Sequence, residues 1–164
     1  MKELNIRDIK ENLVRMIADD WALVSASDGE SWNTMTISWG GVGELWGKDV
    51  VFAFIRPQRY TKEFMDKSDY FTVSFFDEQY KDALKICGTK SGRDCDKLSL
   101  AGFSAEYDGE AVYPAQARVV IKCRKIAVQQ MDNAGFLDES IESNYKAGDY
   151  HFIYIGEIEK VLEK

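Results

Sequence analysis

Residues 56–61 read RPQRYT, which sets Arg56 and Arg59 three positions apart with Thr61 close behind. They follow the apolar run VVFAFI (50–55) and lead into Tyr60, Phe64 and Met65, whose spacing predicts a short helix over 60–67. Two guanidinium groups and a hydroxyl at a strand-to-helix junction suit an anion, because free N–H groups at a helix start add to the side-chain donors. RPQR alone fits solvated arginines at a strand end equally well. A second loop of the same kind adds weight: GTKSGRD (88–94) carries Lys90, Ser91 and Arg93 beside glycines that allow close backbone approach. Residues 56–62 and 85–97 hold seven of the 21 Lys and Arg in 20 positions, so positive charge is concentrated in an acidic chain. A phosphate monoester, with about −1.5 to −2 charges and three acceptor oxygens, matches such a set.

A third stretch, SWNTMTISWGG (31–41), interleaves Asn33, Thr34, Thr36 and Ser38 with Trp32, Met35 and Trp39. By spacing it is an alternating strand with one wet face. As a ligand site it offers amide and hydroxyl groups to a flat heteroaromatic ring, with apolar side chains against the ring face.

The elements that must carry these groups are mostly strands. WALVSAS (21–27), TMTIS (34–38), VVFAFI (50–55), YFTVSFF (70–76), FSAEY (103–107), ARVVIKCRKIAV (117–128) and HFIYIGEI (151–158) all have strand character. VVFAFI and HFIYIGEI are apolar on both faces, so both faces should be covered, which points toward a partner subunit. In 117–128 the alternation slips by one between Cys123 and Ile126, which predicts a β-bulge. Ile6, Ile9, Leu13, Met16 and Ile17 predict an N-terminal helix, DEQYKDALKICG (77–88) a second, and CDKLSLAGF (95–103) a helical turn or two. GGVGELWGKD (40–49) reads as a glycine-rich connection, and 129–144 as a polar, partly helical excursion. Physics alone reaches an antiparallel, nearly closed barrel with peripheral helices and a basic spot.

Length and charge exclude several classes. One domain spanning 1–164 is the size expectation. The net charge of −7 argues against nucleic-acid binding, which rests on phosphate neutralisation. No apolar run approaches the ~18 residues of a membrane helix, and MKELNIRDIKENL has no signal-peptide core, so the expectation is a soluble cytoplasmic protein without membrane partners. Three cysteines without a CxxC pair, and a single histidine, supply a metal site poorly, so none is expected. Cys87 and Cys123 sit in apolar patterns and read as core; Cys95, between Asp94 and Asp96, is not read as a redox thiol.

Taken in order, NTMTISWGG, RPQRYT, YFTVSFF, CGTKSGRDCDKLSLAGF and GDYHFIYIGEI resemble the flavin reductase-like family, and within it the flavoredoxins, over about residues 20–160. The resemblance implies a mainly β fold, an FMN-binding split barrel with Greek-key antiparallel strands. It also implies a homodimer with one noncovalent FMN per subunit near the interface. Asn33, Thr34, Met35, Thr36 and Ser38 would then line the isoalloxazine and ribityl chain. Arg56, Arg59 and Thr61 would address the phosphate, and Ser74 would lie near the flavin. The loop of Lys90, Ser91 and Arg93 would close over the phosphate end or reach it from the neighbouring subunit. His151 resembles a histidine near the flavin or nicotinamide pocket of relatives.

The implied activity is an NAD(P)H-dependent flavin oxidoreductase, with a flavoredoxin-like electron carrier reduced by a redox partner protein as the alternative. A flavin module of regulatory role is the third reading. No GxGxxG fingerprint is present, and GGVG (40–43) opens no predicted helix, so NAD(P)H would bind transiently over the flavin.

Overall fold

The computed structural model describes residues 1–164. The strands are β1 (Lys2–Leu4), β2 (Ala22–Ser27), β3 (Trp32–Ile37), β4 (Gly40–Leu45), β5 (Lys48–Ile55), β6 (Tyr70–Phe75), β7 (Ala105–Asp108), β8 (Ala111–Pro114), β9 (Val119–Gln130) and β10 (Phe152–Glu163). The α-helices are α1 (Leu13–Arg15), continued by a π-helical turn over Met16–Asp20, then α2 (Tyr60–Lys67), α3 (Lys81–Thr89) and α4 (Lys97–Ala101). No helix is long and apolar enough to cross a membrane.

One sheet runs in the order β3-β2-β6-β9-β10-β5-β4, with β1 added to the far end of β10. Every pairing is antiparallel. Strands β5 and β6 follow one another in the chain but are separated in the sheet by β9 and β10, a Greek-key crossing. The outermost strands β3 and β4 do not pair, yet only Ser38 and Trp39 connect them. The sheet therefore curls until its two ends meet at that corner, which makes a split barrel.

Alternation sorts the strand residues. Val24, Val73, Ile121, Ala53, Ile55 and Tyr154 point into the barrel, where Phe64 and Met65 of α2 join them. On the opposite face of β2 and β9, Leu23 and Val120 pack against Leu84, Cys87, Phe103 and Tyr113 from the helices and the β7–β8 hairpin. The strands β2 and β6 are thus covered on both faces. By contrast Phe52, Phe54, Ile153 and Ile155, on the outer face of β5 and β10, are only half-buried. This chain covers them only in part.

The expected slip in β9 is real: Ile155 pairs with Ala127 and Gly156 with Lys125, which leaves Ile126 as the extra residue of a bulge. Gly156 is required there, since a Cβ on it would stand 2.6 Å from the Cys123 Cβ and from the Phe71 ring.

Three expectations need correction. Residues 40–49 are not a connection: Gly40–Leu45 is a strand paired with β5 through Val42↔Val51. Gly40 is its tight position, where an added Cβ would stand 3.1 Å from the Phe52 carbonyl oxygen. The N-terminal helix is shorter than its apolar face: Ile6–Asp8 is a separate 3-10 turn, and helix begins only where Asn12 Oδ1 accepts from Arg15 N at 3.1 Å. The stretch after residue 103 forms a β7–β8 hairpin, whose second strand the sequence did not announce.

Candidate functional site

The basic junction lies where β5 ends. Arg59 N donates to the Arg56 carbonyl at 3.1 Å, closing a turn, and Arg59 is the N-terminal flanking residue of α2. Strand β3 runs beside both α2 and α3. Asn33 Nδ2 donates to Thr61 Oγ1 at 2.8 Å, and Thr36 Oγ1 donates to the Leu84 carbonyl. Gly88 packs so tightly on Thr36 that an added Cβ would meet the threonine Cβ at 3.2 Å.

Two adjoining cavities open here, with Met35, Arg56 and Arg59 as their common wall. The smaller, about 160 Å³, runs between Thr36 and Ser38 on one side and Trp39, Phe54 and His151 on the other. The larger, about 380 Å³, is bounded by Thr61, Thr89, Lys90, Ser91, Lys97 and Asp149. Together they fall in the range of about 300–1,000 Å³ common for small-molecule sites. A wider groove elsewhere, about 870 Å³, is lined by five acids, Glu11, Asp19, Asp20, Asp77 and Glu78, against Lys81 and Arg118, and so suits an anion less well.

The charges around the larger cavity are unequal. Arg56, Arg59, Lys90 and Lys97 line it against one acid, Asp149. Arg56 is already engaged: Nη1 donates to Asp149 Oδ2 at 2.5 Å and Nη2 to the Asn144 carbonyl at 2.9 Å. Arg59 and Lys97 have no carboxylate partner. Arg59 Nη1 donates to the Gly88 carbonyl at 2.9 Å, and Lys97 Nζ to the Cys87 carbonyl at 3.4 Å. Both therefore sit at the C-terminal end of α3, where the helix dipole favours a cation. That end satisfies only part of their donor capacity. Lys97 is 3% exposed, and burial pulls its ammonium below the usual lysine range, with Arg59 pressing in the same direction. Burial and the neighbouring charge of Arg56 likewise lower Arg59. Buried cations without a counterion are costly, and an incoming anion would offset that cost.

His151 is buried at the edge of the smaller cavity. Its Nδ1 shares a hydrogen bond with Tyr145 Oη at 2.9 Å, and its ring lies 5.3 Å from Trp39. Burial, then the charge of Arg56, pushes its pKa down to about 4, so the imidazole is neutral near pH 7.

Of the residues singled out in the sequence, Met35, Thr36, Ser38, Arg56, Arg59, Thr61, Lys90, Ser91 and His151 line the two cavities. Asn33 stands behind Thr61 as its hydrogen-bond partner. Thr34 turns the other way: its hydroxyl accepts from Ser25 and donates to the Val24 carbonyl, both at 2.9 Å. Ser74 is fully buried on the outer face of β6, paired with Leu23 and Val120, and its hydroxyl has no partner. Neither borders a cavity.

Arg93 lies over the Tyr60 ring at 4.7 Å, donates to the Gln58 carbonyl at 3.2 Å and pairs with Glu63. It ties the 88–95 loop to α2. Sequence reasoning missed Lys97, Gln58, Trp39, Phe54 and Asp149. Lys97 carried a signal, as a cation of the second basic window, and so did Gln58 within RPQRYT and Trp39 within SWNTMTISWGG; Phe54 and Asp149 carried none, because only the fold brings them here.

The architecture is that of a split barrel, with a double cavity at its corner. The chain belongs to the flavin reductase-like domain family, whose model matches residues 14–164. Among solved structures, the flavoredoxin of Desulfovibrio vulgaris (Miyazaki F) is similar at 22% identity and a TM-score of 0.69, with 95% of this chain and 77% of that one covered. An FMN-binding protein of Thermus thermophilus with bound p-hydroxybenzaldehyde aligns at 19% identity and a TM-score of 0.71, covering 100% and 82%. An NADH:FAD oxidoreductase of Streptomyces globisporus in complex with NAD and FAD fragments aligns at 16% and 0.63, covering 88% and 74%. At these identities the likeness is one of fold. No curated protein matches the chain.

Proposed function

We propose that the two cavities hold one FMN, and that the protein is an NAD(P)H-dependent flavin oxidoreductase. The observation that carries this reading is the pairing of a carboxylate-poor cationic cavity, with Arg59 and the buried Lys97, to a hydroxyl- and aromatic-lined one. The residues fit the group. Arg59, Lys90, Lys97, Ser91 and Thr61 suit a phosphate dianion, while Met35, Thr36, Ser38 and Asn33 lie along the length a flat ring and its chain would take. When bound, FMN would supply the redox chemistry between NADH or NADPH and a small acceptor or partner protein. The chain's own work is to hold and orient. His151, neutral and tied to Tyr145, gives a fixed polar edge without adding a charge. Trp39, 47% exposed beside it, offers a flat surface at the opening.

The second reading is an electron carrier reduced by a protein partner. The likeness of fold to a flavoredoxin supports it. The half-buried Phe52, Phe54, Ile153 and Ile155 support a homodimer in either case, because a second copy would cover them.

One experiment separates these readings. The protein is titrated anaerobically with FMN and FAD, then mixed with NADH or NADPH while flavin absorbance is followed. FMN uptake with rapid bleaching supports the oxidoreductase, and bleaching by a reduced protein alone supports the carrier. A chain that takes up no flavin overturns both.

A further inference from the structure

The segment between β9 and β10 carries its own small aromatic kernel, with Tyr145 stacked on Phe136 at 5.8 Å and tilted against Tyr150 at 4.9 Å. It is fastened to the barrel at one point. Arg56 reaches it through Asp149 and the Asn144 carbonyl, and its guanidinium lies 5.2 Å from the Tyr145 ring centre. Gln58 Nε2 adds a bond to the same Asp149 oxygen at 2.7 Å. Tyr145 in turn holds His151. One arginine thus joins the wall shared by both cavities to the segment that ends in His151.

We propose that Arg56 and Asp149 form a clasp that holds residues 131–150 against the cavity wall, and that this clasp, not contact with the ligand's anion, is the work of Arg56. Asp149 matches the charge of Arg56, and both terminal nitrogens of the arginine already donate to the segment. Arg59 and Lys97 keep donors free and have no acid beside them, so the anion falls to them. The charged groups of the larger cavity thus divide into two kinds: Arg59 and Lys97 bind, whereas the ion pair of Arg56 and Asp149 is a positioning device. Cofactor retention by the clasp rests on the FMN reading; the clasp itself does not.

The test has an arm without flavin. Lys146 is exposed within the segment and is a site for trypsin. In the ligand-free protein, Asp149→Asn and Arg56→Ala should each speed cleavage after Lys146 roughly tenfold, the weight of one charge-assisted bond. The effect of the double variant should fall short of the sum of the two single effects, because the Arg56–Asp149 pair is common to both, whereas the Asn144 and Gln58 bonds are lost separately. Lys97→Met should leave that rate unchanged. Asp149→Asn keeps the side chain's shape, so its effect reports the lost charge. In the second arm, the two clasp variants release FMN faster and leave competition by inorganic phosphate as in the parent, while Lys97→Met weakens that competition. Cleavage at the parent rate in Asp149→Asn overturns the clasp, as does tighter FMN binding in that variant, which would make Asp149 a rival of the phosphate. Loss of phosphate competition in Arg56→Ala overturns the division of roles. A chain that takes up no FMN removes the cofactor reading, and the trypsin arm still decides the clasp.

Discussion

Gly92 is seated against Asn33: a Cβ on Gly92 would stand 2.7 Å from Asn33 Oδ1 and 3.0 Å from the Tyr60 ring. The same asparagine donates to Thr61 at 2.8 Å, so the 88–95 loop, β3 and the start of α2 meet at one side chain. Gly92→Ala must therefore push the loop outward or turn the Asn33 amide off Thr61. Overpacking of this kind costs about 1–3 kcal/mol. The expected outcome is a lower melting temperature together with weaker FMN binding, since Lys90 and Ser91 ride on the same loop. Gly135→Ala, where an added Cβ meets nothing within 4 Å, is the control and should change neither. Equal behaviour of the two variants would show that the loop is not seated on Asn33.

Lys97 gives a prediction with two opposite signs. Its ammonium is buried with a single bond of 3.4 Å to a carbonyl and a second cation nearby. Lys97→Met keeps most of the side chain's volume and removes a charge that is poorly compensated without ligand, so the ligand-free protein should melt higher. The same change should weaken FMN binding by about 1.5–3 kcal/mol, roughly ten- to a hundredfold. A merely structural lysine would lower both stability and affinity. Calorimetry of the ligand-free protein and a fluorescence titration decide between them.

Much of this site could be read before any coordinates. The bulge at Ile126 was legible because side-chain alternation has a strict period of two, so a slip leaves a mark in the sequence. RPQRYT was legible because a strand, a proline and a helix start follow one another within a few residues. The strand Gly40–Leu45 was not legible, because three glycines in four residues read locally as a loop and the strand is made by pairing with β5. The burial of Lys97 was hidden for a related reason. It depends on the end of α3 folding back over α4, and local charge does not report that. Asp149 was hidden too: its partner Arg56 lies 93 positions away. Periodicity reveals faces and junctions, whereas the polarity of a buried pocket is decided by which distant residues share it.

As the chain's sole histidine, His151 can be followed by nuclear magnetic resonance without assignment. It is 6% exposed, and its surrounding charges are Arg56 and Arg59, which disfavour the imidazolium, and Asp149, which favours it. Burial leads the balance and brings its pKa down to about 4. The unfolded chain holds the proton more readily, with a histidine pKa near about 6.5. A depressed native value means that the contribution of His151 to stability is complete above about pH 6.5 and is lost as pH falls through about 4. The ring resonances should therefore titrate near pH 4 and stay flat from pH 6 to 8. Denaturant unfolding of the parent should lose stability between pH 6.5 and 4 more steeply than His151→Gln, while carboxylate titrations common to both cancel in the difference. A ring that titrates near 6.5 would mean that His151 meets bulk water, and that the segment holding Tyr145 against it stands open in solution.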